Sequence, residues 1–91
     1  MPDKVHCAHI LVKTEQEAKA VLERLKKGEK FSAVAQAVSF CPSGKRGGDL
    51  GTFTRGKMVK EFENAAFALQ KGDTSAVVKT KFGYHIIKRL E

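Results

Sequence analysis

HCAHILV, residues 6–12, and FGYHIIK, residues 82–88, decide the fold. Each places a histidine inside a short apolar run that otherwise reads as a buried strand. Side chains at i and i+2 share one face of an extended strand. His9 therefore shares a face with Cys7 and Leu11, while Ile10 and Val12 point the other way. His85 likewise shares a face with Ile87. A buried imidazole needs partners for both ring nitrogens, or it destabilises the fold by a few kcal/mol. Two histidines on neighbouring central strands can satisfy each other, one donating and one accepting, with backbone or hydroxyl groups taking the outer nitrogens. Burial disfavours the charged form, so such a pair is expected to be neutral.

The first strand extends over residues 4–12, where Val5, Ile10 and Val12 stand among polar neighbours. Thr14 followed by Glu17 resembles a capping box and opens a helix. Ala18, Val21, Leu22 and Leu25 then form one helical face, and Gly28 stops it. Phe31, Val34, Ala35 and Val38 repeat that spacing in a second, shorter helix. Residues 41–57, CPSGKRGGDLGTFTRGK, hold five of the eight glycines and one of the two prolines, which predicts a loop with a short strand at 50–54. From Val59 the helical period returns through Phe62, Ala65, Ala66 and Leu69, and ends at Gly72. Residues 77–80 read as a short strand, 81–83 as a tight turn and 84–90 as a final strand. The order predicts an α+β domain with a small, mostly antiparallel sheet.

A chain of 91 residues suffices for one domain, burying roughly 60–65% of the surface its unfolded form exposes. No apolar run approaches the ~20 residues that span a bilayer. The N-terminal MPDKVHCAH lacks an apolar core and a small-residue cleavage site, so no signal peptide is expected and a cytoplasmic protein is. Cys7 and Cys41 form no CxxC pair and are too few for a disulfide scaffold, which fits a reducing compartment. The net charge of +7 suits either a solvated surface or an anionic partner.

His9, His85 and Cys41 could serve three kinds of site. His6, Cys7, His9, Cys41 and His85 include metal-ligand types, but their spacing matches no zinc motif, and His6 and His9 face opposite sides of a strand. Cys41 could be a thiol nucleophile activated by a histidine, although no third group stands out to orient that base. The third possibility is non-covalent, a polar floor beneath an apolar pocket.

HILVK in the first strand, CPSGKRGGDLGTFTRGKMVKEFENAAF in the middle and FGYHIIK at the end together resemble the parvulin family of peptidyl-prolyl cis/trans isomerases. The resemblance covers residues 4–90, nearly the whole chain, and GGDLG, GKMV, FxxAAF and FGYHII occur in the family's order. It implies a single isomerase domain over residues 1–91: a four-stranded, mostly antiparallel sheet surrounded by four helices, within the FKBP-like superfold. Carried over residue by residue, it makes His9 and His85 the paired central histidines. Cys41 becomes the cysteine beside them, a position that other members fill with aspartate, and Thr80 a hydroxyl in the same network. Leu50, Met58 and Phe62 match the apolar pocket for the proline ring, and Phe82 matches a variable position near its rim. Neither a cofactor nor a metal is implied.

Such a domain needs to break no covalent bond. It assists rotation of an X–Pro amide in protein clients, which suits a role in folding. Family members that prefer a phosphorylated residue before proline carry a basic insertion between the first strand and first helix. Here HILVKTEQEAKA passes directly from strand to helix with Glu15 and Glu17 in the turn, so a phosphate-independent enzyme is expected. Lys45, Arg46, Arg55, Lys57, Lys60, Lys79 and Lys81 are expected to ring the pocket mouth, where they could meet an anionic membrane, nucleic acid or acidic client. A monomer is expected from the family. A folding isomerase, a chaperone-like or nucleic-acid-associated binding module whose isomerase site is incidental, and a cysteine hydrolase are the three readings to be separated.

Overall fold

The structure, a computed structural model, describes residues 4–91. Four strands form one antiparallel sheet: β1 (Lys4–Val12), β2 (Asp49–Thr54), β3 (Val78–Thr80) and β4 (Gly83–Arg89), in the spatial order β2-β1-β4-β3. The two histidine-bearing runs are thus the two central strands, paired along their length from Cys7 opposite Arg89 to Val12 opposite Tyr84.

Both faces of this sheet are covered, which explains why the central runs carry apolar residues on both faces. On one face, α1 (Glu15–Lys26) and α2 (Phe31–Val38) bury Ala18, Val21, Val34 and Ala35 against Ala8, Ile10, Val12 and Ile86. On the other, α3 (Lys60–Ala68) buries Phe62 and Ala66 against Val5, Cys7, Phe53 and Ile87. These are the helical faces the spacing predicts.

Thr14 caps α1 by accepting the Glu17 N–H at 3.1 Å. Its hydroxyl donates in turn to the Glu17 carboxylate at 3.0 Å, so only half of the reciprocal capping box forms. Acidic residues in the first turn and basic ones in the last complement the helix dipole.

One expectation requires correction. Among the described residues there are three α-helices and a 3-10 turn over Pro42–Arg46, where the resemblance implies four helices. Pro42 suits the first position of the turn, Gly44 disfavours a longer helix, and Gly47 closes the turn in a left-handed conformation (φ 71°). The strand predicted at 50–54 starts one residue earlier, at Asp49.

Candidate active site

His9 and His85 are buried on the α3 side of the sheet. Their strands place them diagonally, because His9 faces Ile87 and Leu11 faces His85. The two Nδ1 atoms lie 3.0 Å apart. Burial, with the neighbouring His85 adding to it, pushes His9 down to about 4, and burial also lowers His85. Both rings are therefore neutral near pH 7, and one of them then donates an N–H to the lone pair of the other. Thr80 Oγ1 sits 2.7 Å from His85 Nε2 and accepts the Phe82 N–H at 3.1 Å. His9 Nε2 is buried and has no hydrogen-bond partner among the described residues.

Phe62 stands almost perpendicular to both imidazoles, its centroid 5.5 Å from His9 and 5.3 Å from His85. Above this floor opens a pocket of about 410 Å³, lined by His9, Leu11, Phe40, Cys41, Pro42, Leu50, Met58, Val59, Phe62, Phe82 and His85. Phe40 and Phe82 are exposed at its mouth.

Backbone contacts bring the segment after α2 to this wall. Leu11 N–H donates to Ser39 Oγ at 3.1 Å, and Phe40 N–H donates to the Leu11 carbonyl at 3.1 Å. Further on, His9 N–H donates to the Gly48 carbonyl at 2.9 Å. Gly48 has φ 85°, and a Cβ there would collide with the His9 carbonyl, so the glycine loop can lie against His9 only without a side chain.

Of the residues expected at the site, Leu50, Met58, Phe62, Phe82, Cys41, His9 and His85 all line the pocket. Thr80 lies beneath it, bonded to His85. Cys41 Sγ accepts the Ser43 hydroxyl at 3.2 Å, and among the described residues no hydrogen bond joins it to either imidazole. That arrangement lacks the thiol–base contact a nucleophile needs.

Leu11, Phe40, Pro42 and Val59 were not anticipated. Phe40 could have been, as a large apolar residue placed between a helix end and a glycine loop. Of the basic residues expected to ring the mouth, none lines the pocket. Lys81 Nζ lies 5.3 Å from the centroid of the Phe82 ring at the rim. Arg55 instead covers Phe67 at 4.3 Å and pairs with Glu63 at 3.4 Å. Arg46 lines a separate groove with Lys30 and Lys88.

A family model described as "Rotamase: PPIC-type PPIASE domain" matches residues 9–91. This chain belongs to that family. It is 56% identical over 86 residues to the foldase protein PrsA of Geobacillus kaustophilus, a match covering 93% of this chain and 31% of that protein. Among solved structures, NmPin, the parvuline of Nitrosopumilus maritimus, is 51% identical with a TM-score of 0.89, covering all of this chain and 99% of that one. CsPin, from the psychrophilic archaeon Cenarcheaum symbiosum, is 60% identical with a TM-score of 0.87, covering all of this chain and 95% of that one. The chain thus spans about a third of the curated foldases it matches and nearly the whole of the small parvulins. The rotamase domain is a peptidyl-prolyl cis/trans isomerase, and the pocket over the histidine pair is its candidate active site.

Proposed function

We propose that this rotamase assists folding by turning X–Pro bonds of protein clients without covalent chemistry, with the proline ring held among Leu50, Met58 and Phe62. The observation that carries this reading is the apolar cup standing directly over two neutral imidazoles. The amide must cross a barrier of ~18–20 kcal/mol, which unaided takes ~10–100 s. Resonance in the planar amide places charge on oxygen and nitrogen, and water stabilises that charge. The twisted amide is less polar, so an apolar pocket disfavours it less than the planar form. Gripping the ring while the preceding carbonyl swings adds binding that exists only in the twisted geometry, which is what acceleration requires. His9, His85 and Thr80 form the rigid polar floor, Cys41 shapes the field beside the carbonyl, and Phe82 flanks the client at the rim. The names of the foldase relatives support the folding role.

The enzyme is read as phosphate-independent. Only Lys13 and Thr14 separate β1 from α1, and Lys13 is the single cation there, over the Phe40 ring at 5.6 Å. We further read it as a cytoplasmic monomer, consistent with two free thiols, Cys7 buried and Cys41 half-buried. Contact with anionic surfaces through Lys45, Arg46, Arg55, Lys57 and Lys60 belongs to the same proposal. It is supported by the charge of +7 and weakened by Arg55 being engaged with Glu63.

The exposed Phe40 and Phe82 favour one alternative, a chaperone-like module that binds clients and turns their prolines only incidentally. NMR exchange spectroscopy on a panel of X–Pro peptides, with shifts mapped onto the domain, separates the two. Accelerated exchange with shifts at Leu50, Met58 and Phe62 supports the enzyme. Binding with an unchanged exchange rate supports the module. A phosphorylated peptide turned over many-fold faster than its unmodified twin would remove phosphate independence.

A further inference from the structure

β2 does not alternate regularly. Leu50 and Phe53 are three residues apart, yet both belong to the cluster on the α3 side of the sheet. Strict alternation would send one of them to the opposite face. The pairing with β1 shows how this is avoided. His6 faces Thr52 and Ala8 faces Asp49, so two steps along β1 are matched by three along β2. The extra residue makes a β-bulge, with Gly51 in the left-handed region at φ 75°. Through this bulge Leu50 reaches the pocket wall.

Two side chains brace the bulge from the other face. Asp49 Oδ1 accepts the Gly51 N–H at 2.7 Å, closing a turn around Leu50. The same oxygen lies 2.7 Å from His6 Nε2, and His6 Nδ1 lies 3.1 Å from Glu91 Oε1. The hydrogen bond to Asp49, with that to Glu91, holds the His6 ring's proton above its usual range. Only the doubly protonated ring can donate to both carboxylates. Two other charged groups adjoin this cluster: Arg46 lies near Asp49, and Arg89 Nε donates to the Glu91 carbonyl at 3.1 Å.

We propose that His6 and Asp49 are positioning residues for the isomerase: their hydrogen-bonded pair fixes the β2 bulge and thereby the place of Leu50 in the wall of the proline pocket. The proposal rests on the reading of Leu50 as part of that wall. Neither residue touches the pocket through its own reacting atoms, so the effect falls on client binding rather than on the rotation step.

The test is NMR-detected isomerisation of a proline tetrapeptide between about pH 6 and 9, with the Leu50 methyl signals followed in the same samples. Asp49→Ala is expected to raise KM about fivefold with kcat within about twofold, and to shift the Leu50 methyls. In the unaltered protein KM rises about two- to threefold as His6 loses its second proton, because the imidazolium–carboxylate ion pair is lost and the neutral ring can donate to only one of Asp49 and Glu91. His6→Gln keeps a donor toward Asp49 but cannot titrate, so its KM profile is flat. The proposal is overturned by an Asp49→Ala protein whose KM and Leu50 methyls are unchanged, or by a His6→Gln profile that follows the unaltered one. If Asp49→Ala does not fold, Asp49→Asn takes its place: it keeps an acceptor for Gly51 and, with no carboxylate at position 49 to pair with the imidazolium, must show a weaker pH dependence of KM than the unaltered protein. Leu50→Ala separates the two levels. An unchanged KM there sinks the pocket reading itself, whereas a raised KM there with a normal Asp49→Ala sinks only the bracing role.

Discussion

His9 Nδ1 and His85 Nδ1 meet at 3.0 Å, so one of these nitrogens carries a hydrogen and the other a lone pair. Thr80 settles the direction. Its Oγ1 already accepts the Phe82 N–H, and its own hydrogen is free to donate to His85 Nε2. The chain then runs Thr80 to His85 to His9 and leaves a single group, the His9 Nε2–H, without a partner. The reverse direction strands two groups, the Thr80 hydrogen and a bare lone pair on His9.

The first prediction follows from that count. Nitrogen-15 spectra at pH 7 should show His85 protonated on Nδ1 and His9 on Nε2. Thr80→Val should destabilise the domain by about 1–3 kcal/mol, since it leaves His85 Nε2 buried without a donor. Finding His85 protonated on Nε2 in the unaltered protein would reverse the chain.

A second prediction concerns pH and stability. His9 drops from 6.5 to about 4 on folding, and His85 is lowered too. A group with a lowered folded value binds its proton more readily when unfolded. Its stabilisation is therefore complete above 6.5 and is lost as pH falls toward the folded value. For His9 the loss amounts to about 3 kcal/mol. His6 has the opposite sign, because its folded value is raised. Its contribution is present below 6.5 and is lost as pH rises through the folded value. Urea midpoints should fall on both sides of a maximum near neutrality, and His6→Gln should flatten the alkaline side only. A midpoint that stays level as pH falls from 6.5 toward 4.5 would contradict burial of neutral imidazoles.

Cys41 supplies the third. Its sulfur takes a hydrogen bond from Ser43 and none from a histidine among the described residues. Cys41→Asp should therefore keep much of the isomerase activity in a proline-peptide assay, and thiol alkylation should act by obstructing the pocket. Complete loss in a folded Cys41→Asp protein would restore the nucleophile.

The histidine pair was legible because strands repeat every two residues, so the run around His9 states which neighbours share its face. The helical faces were legible for the same kind of reason. The β2 bulge was not: GGDLG announces a break in regular backbone, but nothing local says that Leu50 and Phe53 end on one side of the sheet. His6 with Asp49 was hidden by a sequence separation of 43. Thr80 entered through the family resemblance, since a hydroxyl five residues before His85 reaches back to it only across the tight turn after β3. Arg46 and Arg55 were expected at the mouth but are engaged elsewhere, because charge in a loop does not reveal which face the loop presents.

The fourth prediction separates binding from stability within the pocket wall. Phe62 is 2% exposed and touches His9, His85 and Phe53, whereas Met58 is half-buried and lies where the chain enters α3. Phe62→Ala removes a core side chain and should cost about 3–5 kcal/mol of stability. Its loss of activity would then be inseparable from unfolding. Met58→Ala keeps most of the core, because Met58 is only partly buried at the edge of the cluster, so its stability loss should stay under about 1.5 kcal/mol. It still removes apolar contact with the proline ring, which should lower kcat/KM by about 10-fold at unchanged fold. Melting curves and peptide exchange measured on the same Met58→Ala sample check both halves. If kcat/KM is unaltered while the domain stays folded, the proline ring does not sit where Met58 can reach it, and the pocket must be entered from the Phe40 side instead.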